Sequence, residues 1–204
     1  MFESIKRYLN RKKLKDEKFA YLFDEYEGDE YVCFDCETTG LNPKKDEIIS
    51  IGAIIIKNNE ILHSKKFERF CKTQKDLDEE SIKIHHIREC DILNARDINE
   101  VIDEFIEFVG NRPCVGYYLE FDMAMVNRYI KPKLGINLPN KRYEVSGMYY
   151  DKMIKKYQNG NIDLRFDTIM KKLGLPRLGK HDAINDVIMT SMIFLKLKNS
   201  ELLK

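Results

Sequence analysis

The sequence predicts an α/β fold in which helices cover a mixed β-sheet. Three observations carry this reading. Residues 31–70 hold three strand-like segments joined by short turns. From about residue 78 the apolar period changes from that of a strand to the 3.6 of a helix. Short strand-like segments then recur between helical ones, and the order βββ, α, β, α, β, α belongs to a layered α/β sandwich.

Residues 1–28 form a basic helical extension ahead of the main domain, residues 29–204. Ile5, Leu9, Phe19, Leu22 and Phe23 carry amphipathic helical spacing, with Lys6, Arg7, Arg11, Lys12, Lys13, Lys15 and Lys18 between them. The segment is either a solvated helix packed on the domain or an arm for nucleic acid or a partner. "YVCFDC" is the first strand. "EIISIGAIII" is the second, with the near-continuous apolar character of burial on both faces. "EILHSKKFERF" is the third, after a hairpin turn at Asn58-Asn59. Asp78 can cap a short helix. Asp97 can cap a longer one striped by Ile98, Val101, Ile102, Phe105, Ile106 and Val109, which Gly110 ends. "PCVGYY" reads as a buried strand. A helix follows from about Phe121 to near Pro132, then a loop with one more strand around "YEV". Helices over about 148–158, 164–173 and 182–198 close the chain. The last has a stripe of Ile184, Val187, Ile188, Ser191, Met192 and Leu195. Leu164, Phe166 and Ile169 are a packed helix start.

The 204 residues suffice for one domain with a real core. A net charge of +1 gives no overall pull toward a polyanion, so local patches must hold one. The longest apolar run, "IISIGAIII", is too short to span a bilayer, and the N-terminus lacks a signal-peptide core, so the expected location is cytoplasmic. Five scattered cysteines argue against a disulfide framework. Cys33 and Cys36 fall on opposite faces of a strand and read as small buried residues.

Three short pieces carry chemistry. In "CFDCETTGL", Asp35 and Glu37 lie two apart on a strand and so share one face. Adjacent carboxylates resist joint ionisation, and a divalent cation such as Mg²⁺ or Mn²⁺ removes the conflict. Thr38, Thr39 and Gly40 supply a turn with hydroxyls and N–H groups for an anionic ligand. In "VGYYLEFD", Asp122 arrives where a helix starts, where an acid is also an ordinary cap. In "GKHDAINDV", Asp186 lies in the first turn of the last helix, Asp182 is its N-cap, and His181 precedes it. A lone histidine there is either structural or a base.

Together the three pieces resemble the DEDDh family of 3′–5′ exonucleases, which includes proofreading polymerase subunits, ribonuclease T and oligoribonuclease. The resemblance covers roughly residues 30–198, through Asp35 and Glu37, then Phe121 and Asp122, then His181 and Asp186. It implies a ribonuclease H-like fold, with three antiparallel strands followed by parallel ones and helices on both faces. It implies hydrolysis at the 3′ end of single-stranded DNA or RNA, with two divalent cations held by Asp35, Glu37, Asp122 and Asp186. His181 would be the general base, and Thr38, Gly40 and Leu41 would meet the terminal nucleotide. Leu41 could equally pack on the core. Lys171, Lys172, Arg177 and Lys180 could pair with phosphates or complement a helix end. Two departures stand out: Tyr117-Tyr118 replace the family's His-Asn pair, and His86 stands in "IHHI" where the family has glycine. His85 and His86 read as structural or peripheral. A DNA polymerase subunit is the implied partner. The alternatives are an inactive module that binds nucleic-acid ends and a phosphodiesterase for a non-nucleic substrate.

Overall fold

The computed structural model describes residues 2–75, 77, 79–157, 161–179 and 183–199. The cap expected at Asp78 and the residues Lys180, His181 and Asp182 lie outside them. Helix α1 (Phe2–Arg11) and a 3₁₀ helix (Glu17–Phe23) precede strands β1 (Tyr31–Thr38), β2 (Ile48–Lys57) and β3 (Glu60–Phe70). Then come α2 (Glu79–His85), α3 (Glu89–Ile92), α4 (Ile98–Val109), β4 (Cys114–Gly116), α5 (Leu119–Leu134) and β5 (Arg142–Glu144). Helices α6 (Val145–Tyr157), α7 (Phe166–Leu173) and α8 (Ala183–Lys198) follow.

The sheet order is β3-β2-β1-β4-β5. β1, β2 and β3 pair antiparallel; β4 joins β1, and β5 joins β4, in parallel. Asn58 and Asn59 both have positive φ (50° and 63°), the backbone that a two-residue hairpin matched to strand twist requires. β2 is buried at every position except Lys57, as its unbroken apolar run predicts. One core layer gathers Val32, Phe34 and Cys36 with Phe105, Ile106 and Val126 from α4 and α5. The other gathers Cys33, Ile54 and Val115 with Tyr149, Ile169 and Phe194 from α6, α7 and α8. Cys33 and Cys36 thus lie on opposite faces, and all five cysteines are free. Asp97 caps α4 by accepting from Asn99 N–H, and Gly110 ends that helix. Leu164 and Phe166 pack against the α6–α8 layer beside buried Ile169.

Three expectations need correction. Phe19 and Leu22 enter the core, but Ile5 and Leu9 are each 51% exposed. α1 docks through polar groups instead: Arg7 donates to the carbonyl of Pro139 (2.8 Å) and Asn10 to that of Asn137 (2.9 Å). α5 starts before Phe121 and passes Pro132, which sits in the last turn, where a missing N–H costs one ladder bond. Lys15 shields that end, its ammonium donating to Pro132 O and its N–H to Leu134 O. In α8, Ile188, Met192 and Leu195 are only partly buried, whereas Thr190, Ile193, Phe194 and Leu197 are fully buried. A helix lying across a sheet with two helices beside it buries more than one stripe. Among the described residues no helix is long and apolar enough to cross a membrane.

Candidate active site

β1 presents Asp35 and Glu37 on the same face as Cys33, toward α8. Asp35 pairs in register with Gly52 of β2, and Glu37 with Ser50. The close approach of α8 is made at Gly52. A Cβ there would lie 2.8 Å from the Ala183 carbonyl carbon and 2.9 Å from its oxygen, so only glycine lets the first turn of α8 rest on β2. Asp186 follows three residues later. The carboxylates of Asp35, Glu37 and Asp186 consequently have oxygens all within 4.8 Å of one another. Among the described residues no other set of three His, Cys, Asp or Glu side chains comes as close.

Asp122, on α5, stands outside that trio, yet near enough for its charge to act on Asp35. It does not cap that helix: the N-cap is Tyr118, which makes no side-chain cap bond. β4 pairs with β1 only as far as Cys33, which leaves the backbone of β1 open beyond it. Asp122 Oδ1 closes the gap by accepting from Cys36 N–H at 3.0 Å, a donor that would otherwise be buried without a partner. Asp122 is 3% exposed. The α5 N-terminus is instead served by Glu144, at the end of β5, whose Oε2 accepts from Leu119 N–H at 2.7 Å. Glu144 Oε1 also accepts from the N–H and hydroxyl of Ser146.

Burial pushes the Asp35 carboxyl well above the usual carboxylate range, and the charges of Asp122, Glu37 and Asp186 push it further. Asp122 is likewise raised, first by burial; the N–H of Cys36 opposes that and Glu37 and Glu144 add to it. Crowded, partly desolvated acids of this kind are a donor set for a hard divalent cation, whose charge would let all of them ionise.

In the turn after β1, Thr38 donates its hydroxyl to Gly40 O (2.8 Å), and Thr39 N–H donates to Glu47 O, bonds that fix the shape of the turn. A Cβ at Gly40 would lie 2.5 Å from Asp46 Oδ2, so any other residue there would displace the Asp46 side chain. Leu41 is 86% exposed, which removes the core-packing reading. Of the basic residues considered for phosphates, Arg177 pairs with Asp167 (2.5 Å), while Lys171 and Lys172 are exposed beside them. His85 is buried and accepts from Ile87 N–H through Nδ1. His86 has φ +58°, the left-handed backbone that glycine adopts freely. Sequence reasoning missed Gly52 and Glu144. The one signal for Gly52 was an isolated glycine inside an apolar strand.

The RNase_T family model, described as Exonuclease, matches residues 32–194. A "DNA polymerase III PolC-type" of Staphylococcus haemolyticus is 34% identical over 167 residues, covering 82% of this chain and 11% of that protein. The PolC-type polymerase of Thermotoga petrophila is 30% identical over 171 residues, 84% of this chain and 12% of its own. The chain therefore spans about one-ninth of the length of these relatives. Among solved structures, cell-death related nuclease 4 (CRN-4) superposes with a TM-score of 0.73 at 16% identity, covering 84% of this chain and 64% of that one. E. coli Exonuclease I in complex with a dT13 oligonucleotide gives a TM-score of 0.67 at 16% identity over 83% of this chain and 41% of its own. The family match over residues 32–194 and the relatives' identity across four-fifths of the chain show that the protein belongs to the RNase_T exonuclease family, the DEDD 3′–5′ exonucleases.

Proposed function

We propose that the chain is a metal-dependent 3′–5′ exonuclease that releases nucleoside monophosphates from the 3′ end of single-stranded DNA or RNA. The observation that carries the reading is the meeting of Asp35, Glu37 and Asp186, from a strand and a distant helix, within 4.8 Å. In this reading Asp35, Glu37 and Asp186 would hold one Mg²⁺ or Mn²⁺ ion, and Asp35 and Asp122 would hold a second. Bound there, such ions polarise the phosphate and lower the pKa of a water. The protein's own part is to fix the acids. Gly52 sets the depth of Asp186, and the Cys36 N–H orients Asp122. His181 would accept the proton of the attacking water, its ordinary pKa lying near neutrality. Thr38, Gly40 and Leu41 would meet the terminal nucleotide, Leu41 by its exposed side chain and the other two by shaping the turn. Residues 29–204 would form the exonuclease domain, with residues 1–28 an added segment that plugs Phe19 and Leu22 into the core. Polymerase relatives favour DNA and support association with a polymerase.

The test is a panel of 3′-labelled single-stranded DNA, duplex with a mismatched 3′ end, and short RNA, each with Mg²⁺, Mn²⁺ or chelator. Release of labelled mononucleotide that chelation abolishes is the expected result. Binding to ends without release would select the inactive module, and cleavage of only a non-nucleic phosphodiester the third reading.

A further inference from the structure

The feature left unused by the exonuclease reading is Tyr118. It lies two residues beyond β4, which runs parallel to β1, so it leaves the sheet at the same C-terminal end of the strands where Asp35 and Glu37 sit. Its backbone is left-handed (φ 55°, ψ 33°), a conformation in which a bulky aromatic residue is rare. The strain is locked in on both sides. Leu119 N–H is held by Glu144 at 2.7 Å, and the Tyr118 ring leans on the Tyr117 ring at 4.6 Å. Tyr117 is itself fixed: its hydroxyl donates to Leu164 O (2.9 Å) and its ring meets Phe166 edge-on at 5.0 Å. Yet Tyr118 is 64% exposed, so the strain is not repaid by burial. One turn further along α5 stands Asp122. Leu41, 86% exposed, follows β1 at this end of the sheet, and Phe70, 42% exposed, closes β3 there in the register row of Glu37.

We infer that Tyr118 is a stacking platform for a nucleobase of the strand whose phosphates enter the carboxylate site. This rests on the exonuclease reading above. A strand that brings a phosphate to Asp35 must place a base beside that phosphate, and a rigid, braced aromatic face accepts any base. Asn, which tolerates the left-handed region, would satisfy the backbone at this position without a platform. One side of the ring rests on Tyr117, and the exposed remainder is the surface offered to a base, which gives affinity without sequence preference.

The chain has no tryptophan, so Tyr118→Trp installs a single fluorescent reporter. In an Asp186→Asn background, which spares the strand, a dT oligomer should quench the introduced indole at least about twofold, the face-to-face contact with a base being the cause. An abasic oligomer of equal length, bound according to anisotropy, should leave it bright. With the carboxylates intact, Tyr118→Asn should raise KM for single strands by about fivefold or more, the fold-change of a lost base stack, with kcat within about twofold. Tyr118→Phe should restore the wild-type KM. Equal emission with both bound oligomers, or an unchanged KM in Tyr118→Asn, overturns the proposal. A wild-type protein that neither binds nor cuts any strand removes the exonuclease reading itself, a result distinct from either.

Discussion

Replacing Asp35 by Asn separates what the carboxylate cluster costs the fold from what it does. Two unit charges 4.8 Å apart repel by about 3 kcal/mol at an effective dielectric constant of about 20. Asp35 has Glu37 and Asp186 within that distance, and Asp122 adds to the field. Burial and the neighbouring charges raise the Asp35 carboxyl, so its charged form costs the metal-free fold. Asn keeps the shape and removes one charge, so Asp35→Asn should stabilise the chelated protein by roughly 1–3 kcal/mol. For a chain of this size that is a rise in Tm of roughly 2–12 °C. The pH dependence has a definite sign. A carboxyl whose folded pKa is raised above its ordinary 3.8 stabilises fully below about pH 4 and loses that contribution as pH rises through the folded value. The advantage of Asp35→Asn should therefore be smallest near pH 4 and grow toward neutrality. Thermal melts in chelator across this range measure it. Mg²⁺ or Mn²⁺ at about 100 times Kd should stabilise the wild type by about 2.7 kcal/mol and the variant far less. A variant that melts below the wild type in chelator at neutral pH, yet gains as much from metal, would refute the electrostatic reasoning.

Gly52→Ala should push α8 off β2, because the new methyl meets the Ala183 backbone at 2.8–2.9 Å; about 1–3 kcal/mol of stability and at least about tenfold in kcat/KM should go, with a higher Mg²⁺ requirement as Asp186 withdraws. A metal titration matching the wild type would contradict that role. Asp122→Asn preserves an acceptor for Cys36 N–H, whereas Asp122→Leu orphans it, so urea unfolding should find the Leu variant less stable than the Asn variant by roughly 1–3 kcal/mol. Both should be inactive. His86→Gly relieves a left-handed backbone and should raise Tm by roughly 2–4 °C, about 1 kcal/mol; a lower Tm would show that the imidazole is worth more than the strain.

The legible parts of this molecule follow from strict periodicity. Asp35 and Glu37 share a face because strand side chains alternate, and nothing tertiary can change that. The unbroken run of β2 and the Asp97–Gly110 brackets of α4 were readable for the same reason. The site's third acid was legible as a residue but not as a position: Asp186 meets β1 only because Gly52 lets two backbones approach, and a glycine in a strand does not announce its neighbour. Asp122 was ambiguous because a helix-start acid commonly bonds its own helix, while this one bonds a strand 86 residues away. The α1 stripe misled because periodicity identifies an apolar face without saying that it is buried. Arg7 and Asn10 supplied carbonyl contacts that docked the other side. Tyr118 could be seen as a departure from the family pattern, but its left-handed backbone could not, since only glycine or asparagine signals that conformation in sequence.

The central claim is that acids from β1, α5 and α8 act as one metal-holding site for cutting from a 3′ end. The most direct test follows a 5′-labelled single strand with Mn²⁺ over time, for the wild type and for Asp186→Asn. A ladder that shortens one nucleotide at a time from the 3′ end, absent in chelator and absent in the variant, is the result expected. Internal or 5′-end cleavage, or an Asp186→Asn ladder advancing at the wild-type rate, would contradict it.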